Sequence, residues 1–280
     1  MKRVGVIGGG TMGVGIAYVC AQAGGAVTVV EPDDERAERM RGIIRDTAAG
    51  AVKRGKFSSA EADALDRGIE RVREISDLAE GFDVIIESVF EDLELKRSVL
   101  ASAAARNPDL LASNTSALSI DSLAEAVPDP SRFLGMHFFN PVWSLKLVEI
   151  VRGDATSEDA LETARALAAW MGKESLVVHD VPGFATSRLD LIASLEAMRM
   201  LESGVTSAEE IDRAATLAYR HPVGPLRLSD IVGLDVRLDV ARALEAAHGS
   251  RFAPPKILEQ MVAEGKLGVK SGQGFFHWPQ

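Results

Sequence analysis

Val4-Gly5-Val6-Ile7-Gly8-Gly9-Gly10-Thr11-Met12-Gly13 is the stretch on which the fold of this chain turns. Val4 to Ile7 form a short apolar run of the kind found in buried strands, and Ile16, Ala17, Val19 and Cys20 continue as an apolar helix. Between them lies Gly8-x-Gly10-x-x-Gly13, and each glycine has its own task in binding a dinucleotide. Gly8 permits a tight turn, Gly10 lets backbone approach a pyrophosphate, and Gly13 lets helix and strand pack closely. The helix then offers unpaired N–H groups and the positive end of its dipole to the phosphates. Met12, inside the same loop, is expected at the cofactor as well. A second strand, Ala26 to Val30, ends in Glu31. A carboxylate at this spacing accepts ribose hydroxyls of NAD and repels the extra phosphate of NADP, so NAD is the expected cofactor. Arg36 and Arg39, nearby, are the sequence's argument for NADP instead, but they read first as a solvated helix face.

Bulk properties narrow the function class. The 280 residues are 46% hydrophobic and 26% charged, ordinary for a globular protein with ample core. The formal net charge of −10 argues against generic nucleic-acid binding. No apolar run reaches the length of a membrane span. The first strand begins too early for a cleaved leader, and a single cysteine, Cys20, makes no internal disulfide. A cytoplasmic protein is expected. Cys20 falls on the packed face of the first helix and reads as a small buried apolar residue. No Cys/His cluster has metal spacing, so no metal site is expected.

Strands and helices alternate through the first part of the chain. A helical stretch from about Asp34 to Val52 closes in Lys53-Arg54-Gly55-Lys56, and another begins near Ser58. Asp83 to Glu87, Leu110 to Ser113, Arg132 to His137, Val148 to Val151 and Leu176 to Val178 read as further strands of a parallel sheet covered on both faces. After Pro182-Gly183 the pattern is helical: one long helix through Leu201, then helices from Ala208, about Leu228 and about Pro255. The expected architecture is α/β, a doubly wound Rossmann-type domain over residues 1–181 followed by an all-helical domain over 182–280.

Three polar clusters adjoin strands: Asn114-Thr115-Ser116, Gly135 to Pro141, and Lys146 to Glu149. Open α/β sheets bind ligands at such strand ends. Moving a hydride from a secondary alcohol to NAD needs a base for the hydroxyl proton, and histidine has a suitable pKa. His137 and Glu149 are candidates for a base and the carboxylate that orients it, and Ser116 for a donor to the substrate oxygen. Spacing alone does not bring the three together, and a lone histidine at a strand end is more often structural.

With these motifs in view, the chain resembles the 3-hydroxyacyl-CoA dehydrogenases, in particular their short single-function bacterial type. The resemblance runs nearly end to end: Gly8 to Gly13, Phe90 to Leu93, Ser113 to Ser119, His137 to Pro141, Lys146 to Ile150, Pro182 to Phe184, His221 to Pro225 and Gly268 to Phe276. It implies reversible oxidation of an L-3-hydroxyacyl-CoA to the 3-oxoacyl-CoA. His137 is then the general acid/base, Glu149 its partner, and Ser116 a hydrogen bond to the substrate oxygen. Glu91 and Lys96 line the nicotinamide end, Asn140 joins the cofactor site, and Lys53 and Lys56 meet the phosphates of coenzyme A. The substrate is expected in a cleft between the domains, and the helical domain is expected to form a homodimer.

Two positions depart from the family pattern. Ser187-Arg188 stands where an Asn-Arg pair is usual; serine keeps a donor and an acceptor at shorter reach. Val142-Trp143-Ser144-Leu145 replaces a small stretch containing proline and methionine, so Trp143 either reshapes the acyl pocket or packs at the domain junction. Two alternatives therefore stay open: a 3-hydroxy acid carrying no coenzyme A, or an NAD-binding relative with weakened catalysis.

Overall fold

A computed structural model of the chain describes residues 1–279. The chain divides into two compact units, Met1–Val181 and Pro182 onward.

The first unit opens with β1 (Arg3–Ile7), α1 (Thr11–Gln22) and β2 (Ala26–Val30), followed by α2 (Asp34–Lys53), α3 (Ser59–Arg67) and β3 (Ile69–Val72). Ser58 caps α3 by accepting from Glu61 N at 3.2 Å, while Ser58 N donates to Glu61 Oε2 at 2.7 Å. Next come β4 (Val84–Glu87), α4 (Leu93–Ala104), β5 (Leu111–Ser113), α5 (Ile120–Ala124) and β6 (Phe133–Phe138). β7 (Leu147–Arg152), α6 (Glu158–Trp170) and β8 (Glu174–His179) complete the unit. The strands form one sheet in the order β3-β2-β1-β4-β5-β6-β7-β8. Strand order reverses between β1 and β4, so the crevice at their carboxyl ends is the topological switch point where such sheets bind ligands.

One correction concerns direction. The sheet is not wholly parallel: β6 and β7 pair antiparallel. The connection 139–146 is too short for a parallel crossover, which needs a dozen or more residues. This reversal sets His137 directly opposite Glu149. A second correction is β3, whose Ile-Glu-Arg-Val run shows too little apolar alternation to stand out in sequence.

The sheet's core joins Val4, Val6, Val27, Val84 and Ile86 to Ile16, Val19 and Cys20 of α1. Cys20 is 1% exposed, and burial pushes its thiol up to about 12, with Lys173 nearby offsetting part of this. That makes it a packing residue rather than a nucleophile. Trp143 lies edge-on to Tyr18 of α1, with centroids 5.8 Å apart, and packs on this same core.

The second unit contains α7 (Thr186–Glu202), α8 (Ala208–Ala218), α9 (Pro225–Val232), α10 (Leu234–His248) and α11 (Lys256–Ala263). Leu191, Leu195, Met198, Leu226, Leu234, Leu238 and Leu258 form its core. Gly233 takes φ 106° and splits what sequence reads as one helix into α9 and α10. The long helix starts after Phe184, whose φ of 47° lies outside helical space.

Asp230, 1% exposed, ties the C-terminal turn to α9. It accepts from Phe275 N, Phe276 N and Trp278 Nε1, each at 2.9 Å. Asp230→Ala leaves these three donors without their acceptor. The expected loss is roughly 2–4 kcal/mol, read as a lower denaturant midpoint. An unchanged midpoint would show that these bonds contribute nothing net.

Candidate active site

A cavity of about 670 Å³ opens at the switch point of the first unit. Its walls include Gly8, Gly10, Thr11 and Met12 from the β1–α1 loop, Glu31 and Arg36 from the end of β2 and the start of α2, and Ser88 to Glu91 after β4. Asn114, Ser116, His137 and Phe138 complete the side toward β5 and β6.

The glycine loop is built as its spacing suggests. Gly8 has φ 107°, and a Cβ there would lie 2.6 Å from Ser88 O. A Cβ on Gly13 would lie 1.8 Å from Gly8 O, so only glycine allows this approach of α1 to the loop. Above Gly10 a Cβ would meet nothing within 4 Å, and no side chain caps α1. Open space over an uncapped helix N-terminus fits a pyrophosphate. Glu31, 4% exposed, accepts from Gly9 N at 3.0 Å, which fixes its carboxylate beside the loop. Arg39 pairs with Glu35 on an exposed face, but Arg36 does not share it. It lines the cavity and donates from Nε to Glu31 at 3.1 Å.

His137 and Glu149 meet as cross-strand neighbours. Nδ1 of His137 is 2.8 Å from Glu149 Oε2, with His137 7% and Glu149 0% exposed. The Phe139 ring lies 4.3 Å from the imidazole, centroid to centroid. A buried imidazole held at Nδ1 by a carboxylate has a fixed tautomer and a partner for its protonated form.

Ser116 is placed from behind. Glu91 Oε1 accepts from Thr115 Oγ1 at 2.5 Å, Ser116 N at 2.9 Å and Ala117 N at 3.1 Å. Burial works against the Glu91 charge, but Thr115, the Lys96 ammonium and Ser116 together outweigh it and hold the carboxyl below the usual range. Lys96 corrects an expectation: it is 1% exposed and absent from the cavity wall. Its Nζ bridges Glu87 Oε1 at 2.7 Å and Glu91 Oε2 at 3.3 Å. Glu87 Oε2 in turn accepts from Ser113 Oγ at 2.6 Å. A chain of charges, buried at Glu87 and Lys96 and exposed at Glu91, thus runs from the end of β4 to the Ser116 loop.

Asn140 is exposed, precedes a cis bond to Pro141, and does not line the cavity. Asn114, not singled out individually in sequence, lines it instead; its Oδ1 accepts from Phe138 N at 2.9 Å and steadies the end of β6. The polar Asn-Thr-Ser cluster was the available signal. Lys173 gave none. It is buried, and its Nζ donates to the carbonyls of Val142 and, at 2.6 Å, Leu145, fixing the turn that follows the His137 strand. Trp143 packs away from the cavity wall, against Tyr18. Lys53 ends α2 and Lys56 follows Gly55; both are exposed and lie off the cavity wall. Ser187 occupies the first turn of α7 in the second unit, partly buried.

Family models match both units in turn. Residues 3–181 match the NAD binding domain of 3-hydroxyacyl-CoA dehydrogenase, and residues 183–278 match its C-terminal domain. The chain belongs to the 3-hydroxyacyl-CoA dehydrogenase family. It is 40% identical over 281 aligned residues to a 3-hydroxybutyryl-CoA dehydrogenase of Mycobacterium tuberculosis, covering 99% of this chain and 98% of that one. The crystal structure of (S)-3-hydroxybutyryl-CoA dehydrogenase from Ralstonia eutropha superposes with a TM-score of 0.96 at 34% identity, covering 100% of both chains. A 3-hydroxyadipyl-CoA dehydrogenase of Escherichia coli is 36% identical over 99% of this chain and 59% of its own length. The family's cofactor is NAD, which the glycine loop and Glu31 fit, and the chain is an NAD-dependent oxidoreductase.

Proposed function

We propose that this chain interconverts L-3-hydroxyacyl-CoA and 3-oxoacyl-CoA, with His137 and Glu149 as its acid/base pair. The observation that carries this reading is the buried 2.8 Å contact between them, with His137 on the wall shared with the glycine loop. In the oxidising direction His137 takes the hydroxyl proton at Nε2, the ring nitrogen remote from Glu149. Glu149 keeps Nδ1 in the donating form and stabilises the imidazolium that results. Ser116 donates to the substrate oxygen, whose negative charge is greatest around the hydride-transfer transition state in either direction. NAD, when bound, supplies the hydride acceptor. Glu91, anchored through Lys96, keeps the Ser116 loop in register at the nicotinamide end, with Gly8, Gly10, Met12 and Gly13 around the pyrophosphate. Ser187, in the first turn of α7, holds the position of the family's usual asparagine with a hydroxyl of shorter reach, and Asn140 is assigned to the cofactor site by its place in the family motif.

Lys53 and Lys56 are assigned to the phosphates of coenzyme A. α2 is 20 residues long, so its lysine end lies about 30 Å along the helix from the Glu31 end. This separation gives an anionic substrate and the dinucleotide different ends of the same helix. The double variant Lys53→Ala/Lys56→Ala is expected to raise KM for acetoacetyl-CoA by about 2–10-fold, as exposed ion pairs do, with kcat held. An unmoved KM would favour a substrate without coenzyme A.

A homodimer through the second unit is the proposed assembly, supported by Leu189, Leu217 and Tyr219, each at least 70% exposed. Among the described residues no helix is long and apolar enough to cross a membrane. The single, buried thiol suits a cytoplasmic setting.

A further inference from the structure

Glu31 is more fully engaged than a ribose-binding carboxylate needs to be. Oε2 accepts from Gly9 N at 3.0 Å, while Oε1 accepts from Asp33 N at 3.0 Å and Arg36 Nε at 3.1 Å. A carboxylate offers roughly four acceptor sites, so Glu31 cannot chelate two ribose hydroxyls and also keep all three partners. Three guanidinium groups lie near Glu31, of which Arg36 and Arg73 line the cavity. Arg71 is spent on the carbonyls of Glu31 and Pro32 and on Asp34. Arg73, also on the cavity wall, gives only Nη2 to the two oxygens of Asp34, and that bond turns it toward Asp34. Arg36 differs in that Glu31 takes its Nε and leaves both terminal nitrogens of the fork open. Glu31 holds its Nε and so aims the fork, its side chain keeps 45% exposure, and its Nη1 and Nη2 make no hydrogen bond or ion pair among the described residues. Glu74 shares this wall, so the region is not simply cationic; the distinguishing feature is a planar donor pair already oriented at the cavity.

We propose that Arg36 is a specificity-determining residue that receives the 2′-phosphate of NADP(H) and narrows this chain's preference for NAD(H). Arginine's fork suits a phosphate bidentately, and holding Nε in place lowers the entropy lost on binding. Glu31 remains beside the ribose and repels that phosphate, so NADH stays the better ligand, while Arg36 keeps NADPH within reach. The inference rests on the dinucleotide reading of this cavity and not on the acyl-CoA assignment.

The test is a pair of dissociation constants, for NADH and for NADPH, by nicotinamide fluorescence on the full chain without acyl substrate. The wild type is expected to bind both. Arg36→Ala is expected to raise the ratio Kd(NADPH)/Kd(NADH) roughly 10–100-fold, the range of one or two charge-assisted hydrogen bonds. Arg36→Lys is expected to fall between, since it keeps the charge and loses the fork. A wild type blind to NADPH would overturn the proposal. So would a ratio unmoved in Arg36→Ala, including the case where both constants rise together because Arg36 merely steadies Glu31. Failure of NADH itself to bind would instead bring down the dinucleotide reading on which the proposal rests.

Discussion

Exchanging His137 for glutamine is expected to lower kcat for acetoacetyl-CoA reduction by roughly 10²–10⁴-fold, the usual range for a positioned acid/base. KM for the ester and the Kd for NADH should move little, because the imidazole acts on a proton that moves only in the transition state. Glu149→Gln should come close to the same loss. Glu149 is 0% exposed and its bond to Nδ1 sets the tautomer; an amide there can hold the ring with the wrong nitrogen protonated. The double variant should be little worse than either single one, since the two residues act as a unit. Steady-state kinetics on the three variants checks this. Losses that simply multiplied would mean His137 and Glu149 serve separate steps.

Lys96→Met carries the largest expected effect on stability. It removes the ammonium facing Glu87, which is 0% exposed, and leaves a carboxylate without its counter-charge inside the sheet. The expected cost is about 3–5 kcal/mol in denaturant unfolding. Losing the bridge to Glu91 also frees the carboxylate that holds Thr115, Ser116 and Ala117, so residual folded protein should show reduced kcat as well. Glu87→Leu/Lys96→Met should recover most of the stability, because the pair is then gone rather than broken, yet not the activity. Recovery of both together would mean the network serves only to fill space and plays no part in placing Ser116.

Much of the dinucleotide end was legible because its chemistry is local in sequence. Gly8, Gly10 and Gly13 answer to backbone conformation and close approach within one turn, and Glu31 follows at the end of the next strand. The pairing of His137 with Glu149 was legible as residue types only. Their meeting depends on the antiparallel turn between β6 and β7, a property of the short connection 139–146 rather than of either residue. Lys96 was given a place on the cofactor wall only by the resemblance, which carries no information on where its side chain turns. The helix turns Lys96 inward, where Glu87 at the end of another strand accepts it. Arg36 looked like surface because helical periodicity carries no information about Glu31, five positions earlier on a strand end. Lys173 and its two carbonyl partners lie far apart in the chain, so no pattern marked them. Trp143 was left between two roles, and its partner Tyr18 belongs to the first helix, a contact fixed only by packing.

The most direct measurement is loss of reduced-nicotinamide absorbance when the chain is mixed with NADH and acetoacetyl-CoA, run beside an equal concentration of free acetoacetate. The account predicts turnover with the thioester alone, abolished by His137→Gln without loss of NADH binding. Turnover with free acetoacetate at a comparable rate, or none with either compound while NADH binds, would contradict it.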